Sequence, residues 1–147
     1  MSDLIKKQFE LTRTSIFKTI EQTASEKFNV KPQGYNNTIH WQLGHILVAA
    51  EQFLFGGLNK LPEEYGALFS YGSSPSDWQG DVPTVANLVE QLKGQLQRIK
   101  EIPNERFQEK LPKRILGNHT FDELASFAAY HESNHTGQIH AMSRFLA

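Results

Sequence analysis

The sequence predicts an all-α protein, a four-helix bundle with a long connection between its second and third helices. Glycine and proline cluster in blocks that separate four long stretches, apolar residues within those stretches recur at helical spacing, and no stretch shows a sustained alternating pattern of strand type. With 147 residues, 39% of them apolar, the chain suffices for one compact core, so a single domain over residues 1–147 is expected.

The first stretch, Asp3 to about Asn29, lacks glycine and proline and places Ile5, Phe9, Ile16, Ile20 and Ala24 on one helical face before Pro32 and Gly34 end it. The second runs from a cap at Asn37 or Thr38 to Leu58, apolar over much of its circumference, as suits a helix buried on several sides. The third opens at Pro83-Thr84, carries a seam of Val85, Leu88, Val89, Leu92, Leu96 and Ile99, and stops near Pro103. The fourth begins with the capping box Thr120-Phe121-Asp122-Glu123 and continues to Phe145, with Leu124, Ala128, His131, His135, Ile139 and Met142 on its inner face. Between the second and third helices, 25 residues from Asn59 to Pro83 exceed an ordinary loop. A short helix over Glu63 to Phe69 is expected there, and Tyr65, Phe69, Tyr71 and Trp78 can either wall the mouth of a pocket or cap the core. Lys113 to His119, around Gly117-Asn118, suits a turn or small hairpin.

Composition narrows the function. Fifteen Lys and Arg against sixteen Asp and Glu leave a net charge of −1, which provides no attraction to nucleic acid or anionic lipid. The absence of cysteine removes disulfides, thiolate metal sites and a cysteine nucleophile, so any metal must be held by His, Asp or Glu. The longest apolar run, Ile46 to Ala50, falls far short of the ~20 residues of a membrane span. The N-terminal residues carry no signal-peptide pattern, which makes a cytoplasmic location the expectation.

Of six histidines, His131 and His135 alone stand four apart on a predicted helix, where their rings meet on one face and can share a metal ion. Both fall on the apolar stripe, where unpaired polar groups are costly. His45, in the middle of the most buried helix, is the natural third ligand, with Trp41 and Gln52 on its face. His140 lies about 140° around the helix from His135, His40 the same angle from His45, and His119 precedes the last helix; these three are expected to be ordinary solvated residues. Gly44 and Gly137 interrupt helix interiors beside the candidate ligands, which suggests close helix approach at both. His131 to His135 also spells H-E-x-x-H, the zinc-peptidase pattern, but no G-x-x-H extension follows and no edge strand is present to align a peptide. Glu132 is therefore expected to be solvated or to adjoin the site, although it lies only about 60° around the helix from His135 and a part in the chemistry stays open to it.

The segment Asn37-Thr38-Ile39-His40-Trp41-Gln42-Leu43-Gly44-His45-Ile46, followed far downstream by His131-x-x-x-His135-x-Gly137-Gln138-Ile139, resembles the DinB/YfiT-like superfamily of metalloenzymes. The likeness spans essentially the whole chain, and H-x-x-x-H-x-G-Q-I is its most specific part. It implies a four-helix bundle, frequently a homodimer, in which His45, His131 and His135 bind one divalent ion, commonly nickel or zinc. Thiol-dependent enzymes belong to that group, among them bacillithiol S-transferases and mycothiol- or glutathione-dependent isomerases. Many of those relatives carry Arg where this chain has Thr136, which bears on contacts to an acidic substrate or thiol. The resemblance thus implies a metal-dependent S-transferase acting on a small-molecule substrate with a low-molecular-weight thiol as co-substrate. A metal-dependent hydrolase and a non-catalytic metal-binding module are the alternatives.

Overall fold

The computed structural model describes residues 2–146. Four long helices, α1 (Ser2–Glu21), α2 (Ile39–Phe55), α4 (Val85–Lys100) and α5 (Phe121–Phe145), form the bundle, and a short α3 (Tyr65–Phe69) lies in the long connection. A two-stranded antiparallel hairpin, β1 (Lys110–Ile115) and β2 (Asn118–Thr120), precedes α5. Helix α5 packs against both α1 and α2, and α4 closes the opposite corner against the same two, so α1 and α2 stand diagonally.

The caps are those the sequence marks. Thr38 and Thr84 accept from Trp41 N and Asn87 N, and α2 ends at Gly56 in the left-handed conformation (φ 76°) with its amide donating to Gln52 O. Thr120 Oγ1 accepts from Glu123 N, while Glu123 Oε1 accepts from His119 N, one residue earlier than a standard capping box. Helix α1, however, ends at Glu21 rather than near Asn29. Thr23 donates its hydroxyl to Thr19 O, and the chain tightens into a 3₁₀ turn over Ser25–Lys27, so side-chain bonding displaces the α ladder and leaves Ala24 exposed.

The apolar core is divided. One cluster gathers Ile16, Leu43, Leu47, Phe69, Leu88, Leu92, Ile139 and Met142; the other gathers Phe9, Leu54, Ile99, Phe107, Phe121 and Ala128. Between them lies a layer of buried polar side chains, one or more from each long helix. Arg13, fully buried on α1, donates to both oxygens of Glu132 on α5 (Nε 2.8 Å, Nη2 2.9 Å), to Leu92 O and to Gln95 Oε1 on α4. Gln95 Nε2 donates onward to Glu51 on α2, whose carboxylate receives both terminal nitrogens of Arg98 (2.9 and 2.8 Å). No buried side-chain polar atom among the described residues lacks a partner, which is the condition under which such a layer is tolerated.

Of the two glycines beside the candidate ligands, Gly44 alone is explained by close approach. A Cβ there would collide with the Phe69 ring, whereas at Gly137, on the exposed side of α5, it would meet nothing within 4 Å. The hairpin turn holds Leu116 at φ 48° and Gly117 at φ 82°, and the left-handed conformation costs a leucine roughly 1–2 kcal/mol. Tyr65 and Phe69 are buried in the core, and Trp78 packs edge-on to Phe69 and donates Nε1–H to Leu68 O.

Replacing Arg13 by Ala leaves the Glu132 carboxylate buried without its cation, and a loss of about 3–5 kcal/mol is expected in chemical denaturation. A loss under 1 kcal/mol would show that the polar layer does not hold the helices together. Gly44→Ala should destabilise strongly through Phe69, while Gly137→Ala should be neutral or stabilise by up to about 1 kcal/mol; equal effects would contradict the packing described.

Candidate metal centre

The first turns of α2 follow the cap at Thr38 and are buried on all sides, which brings His45 into the bundle opposite the middle of α5. There the i,i+4 spacing aligns His131 and His135, with ring centroids 4.5 Å apart and 5.1 and 4.6 Å from that of His45. One ring nitrogen from each of the three lies within 4.8 Å of the others. His45 Nε2 and His131 Nε2 are 3.3 Å apart, the separation of two nitrogens on a tetrahedral ion with bonds of about 2.0–2.1 Å.

The remaining nitrogens decide which lone pairs face inward. His45 Nδ1–H donates to Phe69 O (2.8 Å), and His135 Nδ1–H donates to Gln42 Oε1 (2.6 Å). Gln42 is itself oriented, since its Nε2 donates to Gln138 Oε1 (2.8 Å) and Asn37 Oδ1 (3.0 Å). Both imidazoles therefore carry their proton on Nδ1 and offer Nε2 as a lone pair, the arrangement found behind metal-bound histidines. A lone pair on His131 Nε2 would face that of His45 across 3.3 Å, so a proton or a cation must lie between them. Trp41 stacks on His45 with centroids 4.7 Å apart and planes 9° from parallel, fixing the ring in a second direction.

Burial keeps all three rings neutral. Desolvation lowers the pKa of His45 against the opposing bond to Phe69 O, and lowers that of His131 together with repulsion from His45. His135 is pushed down to about 3, by desolvation first and then by its two neighbours. Neutral imidazoles are what a metal ion requires.

Glu132 departs from the sequence expectation. It is buried, not solvated, and its carboxylate is taken up by Arg13 and by the hydroxyl of Thr12 (2.6 Å). His40 also differs, lying buried between Asn29 Oδ1 and Pro83 O and edge-on to Trp78, so it serves the packing of the long connection. His119 and His140 are exposed, as expected. Arg13 and Gln42 are not revealed by the histidine spacing, although a charge at core spacing between Phe9 and Ile16 marks the first.

Beside the histidines opens a cavity of about 390 Å³ that reaches His45 and His131. Val48 and Ala49 of α2 and Phe127 of α5 line it, and Tyr71 and Leu116, 96% and 65% exposed, stand at its mouth. Of the four aromatics in the long connection, Tyr71 alone lines this cavity; Tyr65, Phe69 and Trp78 belong to the core.

A helical bundle that converges three imidazoles from two helices beside an apolar cavity defines a protein suited to binding a metal ion. The chain belongs to the DinB superfamily, whose sequence pattern matches residues 8–139. Among solved structures it is similar to a conserved protein from Enterococcus faecalis, with a TM-score of 0.70 and 14% identity over 99% of this chain and 96% of that one, a likeness of fold. No curated protein matches the sequence. No helix among the described residues is long and apolar enough to cross a membrane.

The lowered histidine pKa values fix a direction for pH dependence. A histidine whose folded pKa lies below its unfolded value of about 6.5 contributes stability that is fully present above that pH and is lost as the pH falls toward the folded value, about 3 for His135. The melting temperature of metal-free protein should therefore fall between pH 7.5 and 5, and fall less in His135→Asn, which keeps a donor for Gln42. An unchanged melting temperature, or the same fall in the variant, would contradict this origin.

Proposed function

We propose that this chain is a metal-dependent enzyme in which His45, His131 and His135 hold one divalent ion, nickel or zinc, and a low-molecular-weight thiol is transferred to a small-molecule electrophile. The observation that carries the metal reading is the convergence of three neutral imidazoles, two with Nδ1–H already committed to an oxygen acceptor. The transferase reading draws on the likeness to thiol-dependent members of the superfamily and on the chain's lack of any cysteine of its own.

A divalent ion bound there supplies Lewis acidity, which favours the deprotonated form of an incoming thiol near neutral pH. The protein's own contribution is orientation and exclusion of water. Phe69 O and Gln42 hold two imidazoles in one tautomer and Trp41 holds the plane of His45, while Val48, Ala49 and Phe127 keep bulk water from the reacting atoms. In the net reaction the thiol sulfur forms a bond to the electrophilic carbon, the leaving group departs with its bonding pair, and the thiol proton passes to solvent. Hydrolysis of the H-E-x-x-H kind is disfavoured because Glu132, the would-be general base, is bound to Arg13 inside the core. A purely metal-holding module is disfavoured by the cavity that opens onto His45 and His131.

Elemental analysis should find one divalent ion per chain. His45→Ala, His131→Ala and His135→Ala should each abolish tight binding, Gln42→Ala should weaken it about 10- to 100-fold, and His119→Ala should leave it unchanged. Metal-loaded protein incubated with bacillithiol, mycothiol, glutathione or simple thiols and an alkylating electrophile should accelerate transfer only when both metal and thiol are present. Rates equal to those of His45→Ala across the panel would overturn the transferase reading, and thiol-independent hydrolysis lost in the same variant would replace it.

A further inference from the structure

The cavity beside the histidines differs in chemistry from most of the protein surface. Among the described residues, no Lys, Arg, Asp or Glu lines it, and its ionisable groups near neutral pH are His45 and His131, both held neutral by burial. Its polar contributions are Gln52 and Ser70, and the rest is Val48, Ala49, Phe53, Phe127, Tyr71 and Leu116. Away from the two histidines, burying a carboxylate or sulfonate against such a wall removes its hydration without supplying a counter-ion, whereas an aromatic or branched aliphatic body gains from leaving water. The volume, about 390 Å³, lies within the range of pockets that enclose drug-sized molecules.

The hairpin supplies a second, independent observation. Leu116 holds a left-handed backbone (φ 48°) that glycine or asparagine would adopt with less strain, and it remains 65% exposed, so neither backbone preference nor core packing accounts for a leucine there. It does line the mouth of the cavity, across from Phe53 and Phe127, whose rings meet edge-to-face at 5.6 Å. An apolar side chain at this place adds contact area for an occupant.

From these observations we infer that the cavity takes a neutral, predominantly apolar small molecule, with its body between Phe53, Phe127 and Leu116 and its reactive end toward His45 and His131, and that Leu116 is a specificity-determining residue. The inference rests on the proposed function only in naming that molecule as the electrophile. Charged parts of any thiol partner stay in solvent beyond Tyr71.

The test uses a matched pair of fluorescent probes on metal-free, full-length protein: N-phenyl-1-naphthylamine, which is neutral, and 1-anilinonaphthalene-8-sulfonate, the same body carrying a sulfonate. The neutral probe should bind one per chain and about tenfold or more tighter than the sulfonate. Leu116→Asn, which creates an Asn-Gly turn, should weaken the neutral probe about fivefold while the melting temperature stays equal or rises; Phe127→Ala should weaken it at least as much. Equal or tighter binding of the sulfonate, or neutral-probe binding untouched by both substitutions, would overturn the inference. A protein that shows thiol transfer but takes the sulfonate equally well refutes this inference alone. One that takes the neutral probe yet binds no metal upholds the apolar cavity and refutes the proposed function.

Discussion

The contact on which the arrangement depends is the buried ion pair between Arg13 and Glu132. Two charges taken out of water are tolerated only when every hydrogen-bonding position is used, and here the guanidinium reaches α4 and α5 from α1 while Gln95 passes the network to Glu51 on α2. An apolar core alone is compatible with several rotations of a helix about its axis. A layer of directional bonds between two apolar clusters is not, because turning α5 by one residue would strand Glu132. Since His131 is its sequence neighbour, the same pair that orients α5 also sets where the two α5 imidazoles stand.

The candidate site is built on that scaffold by a second set of bonds that do not touch the polar layer. Phe69 serves twice: its ring occupies the space opened by Gly44, and its carbonyl accepts from His45. The absence of a side chain at Gly44 thus lets the long connection come close enough for a backbone oxygen to fix the tautomer of a buried histidine. Gln42 does the same for His135 from within α2. The imidazoles are preorganised by groups that are neutral, so the cavity beside them keeps its apolar character.

The four long helices are legible in the sequence because apolar spacing and cap chemistry agree at Thr38, Thr84 and Thr120. The convergence of His45 with His131 and His135 is legible as well, since two of them share a helix face and the third sits in the most buried segment. Other features depend on partners distant in sequence. Glu132 looks like a solvated or catalytic carboxylate until Arg13, far away along the chain, is seen to hold it. His40 looks exposed by helical rotation, yet the long connection folds over it and Pro83 O binds its ring. Likewise, nothing in the pattern around Tyr65, Phe69, Tyr71 and Trp78 separates the one that lines the cavity from the three that pack the core.

In the proposed site three imidazoles, and no carboxylate, hold a single divalent ion. Anomalous diffraction from nickel- or zinc-loaded crystals tests it most directly. One peak per chain is expected, with nitrogen ligands from His45, His131 and His135 at about 2.0–2.1 Å and Glu132 still bound to Arg13. A peak elsewhere, or coordination in which Glu132 leaves Arg13 to become a ligand, would contradict it.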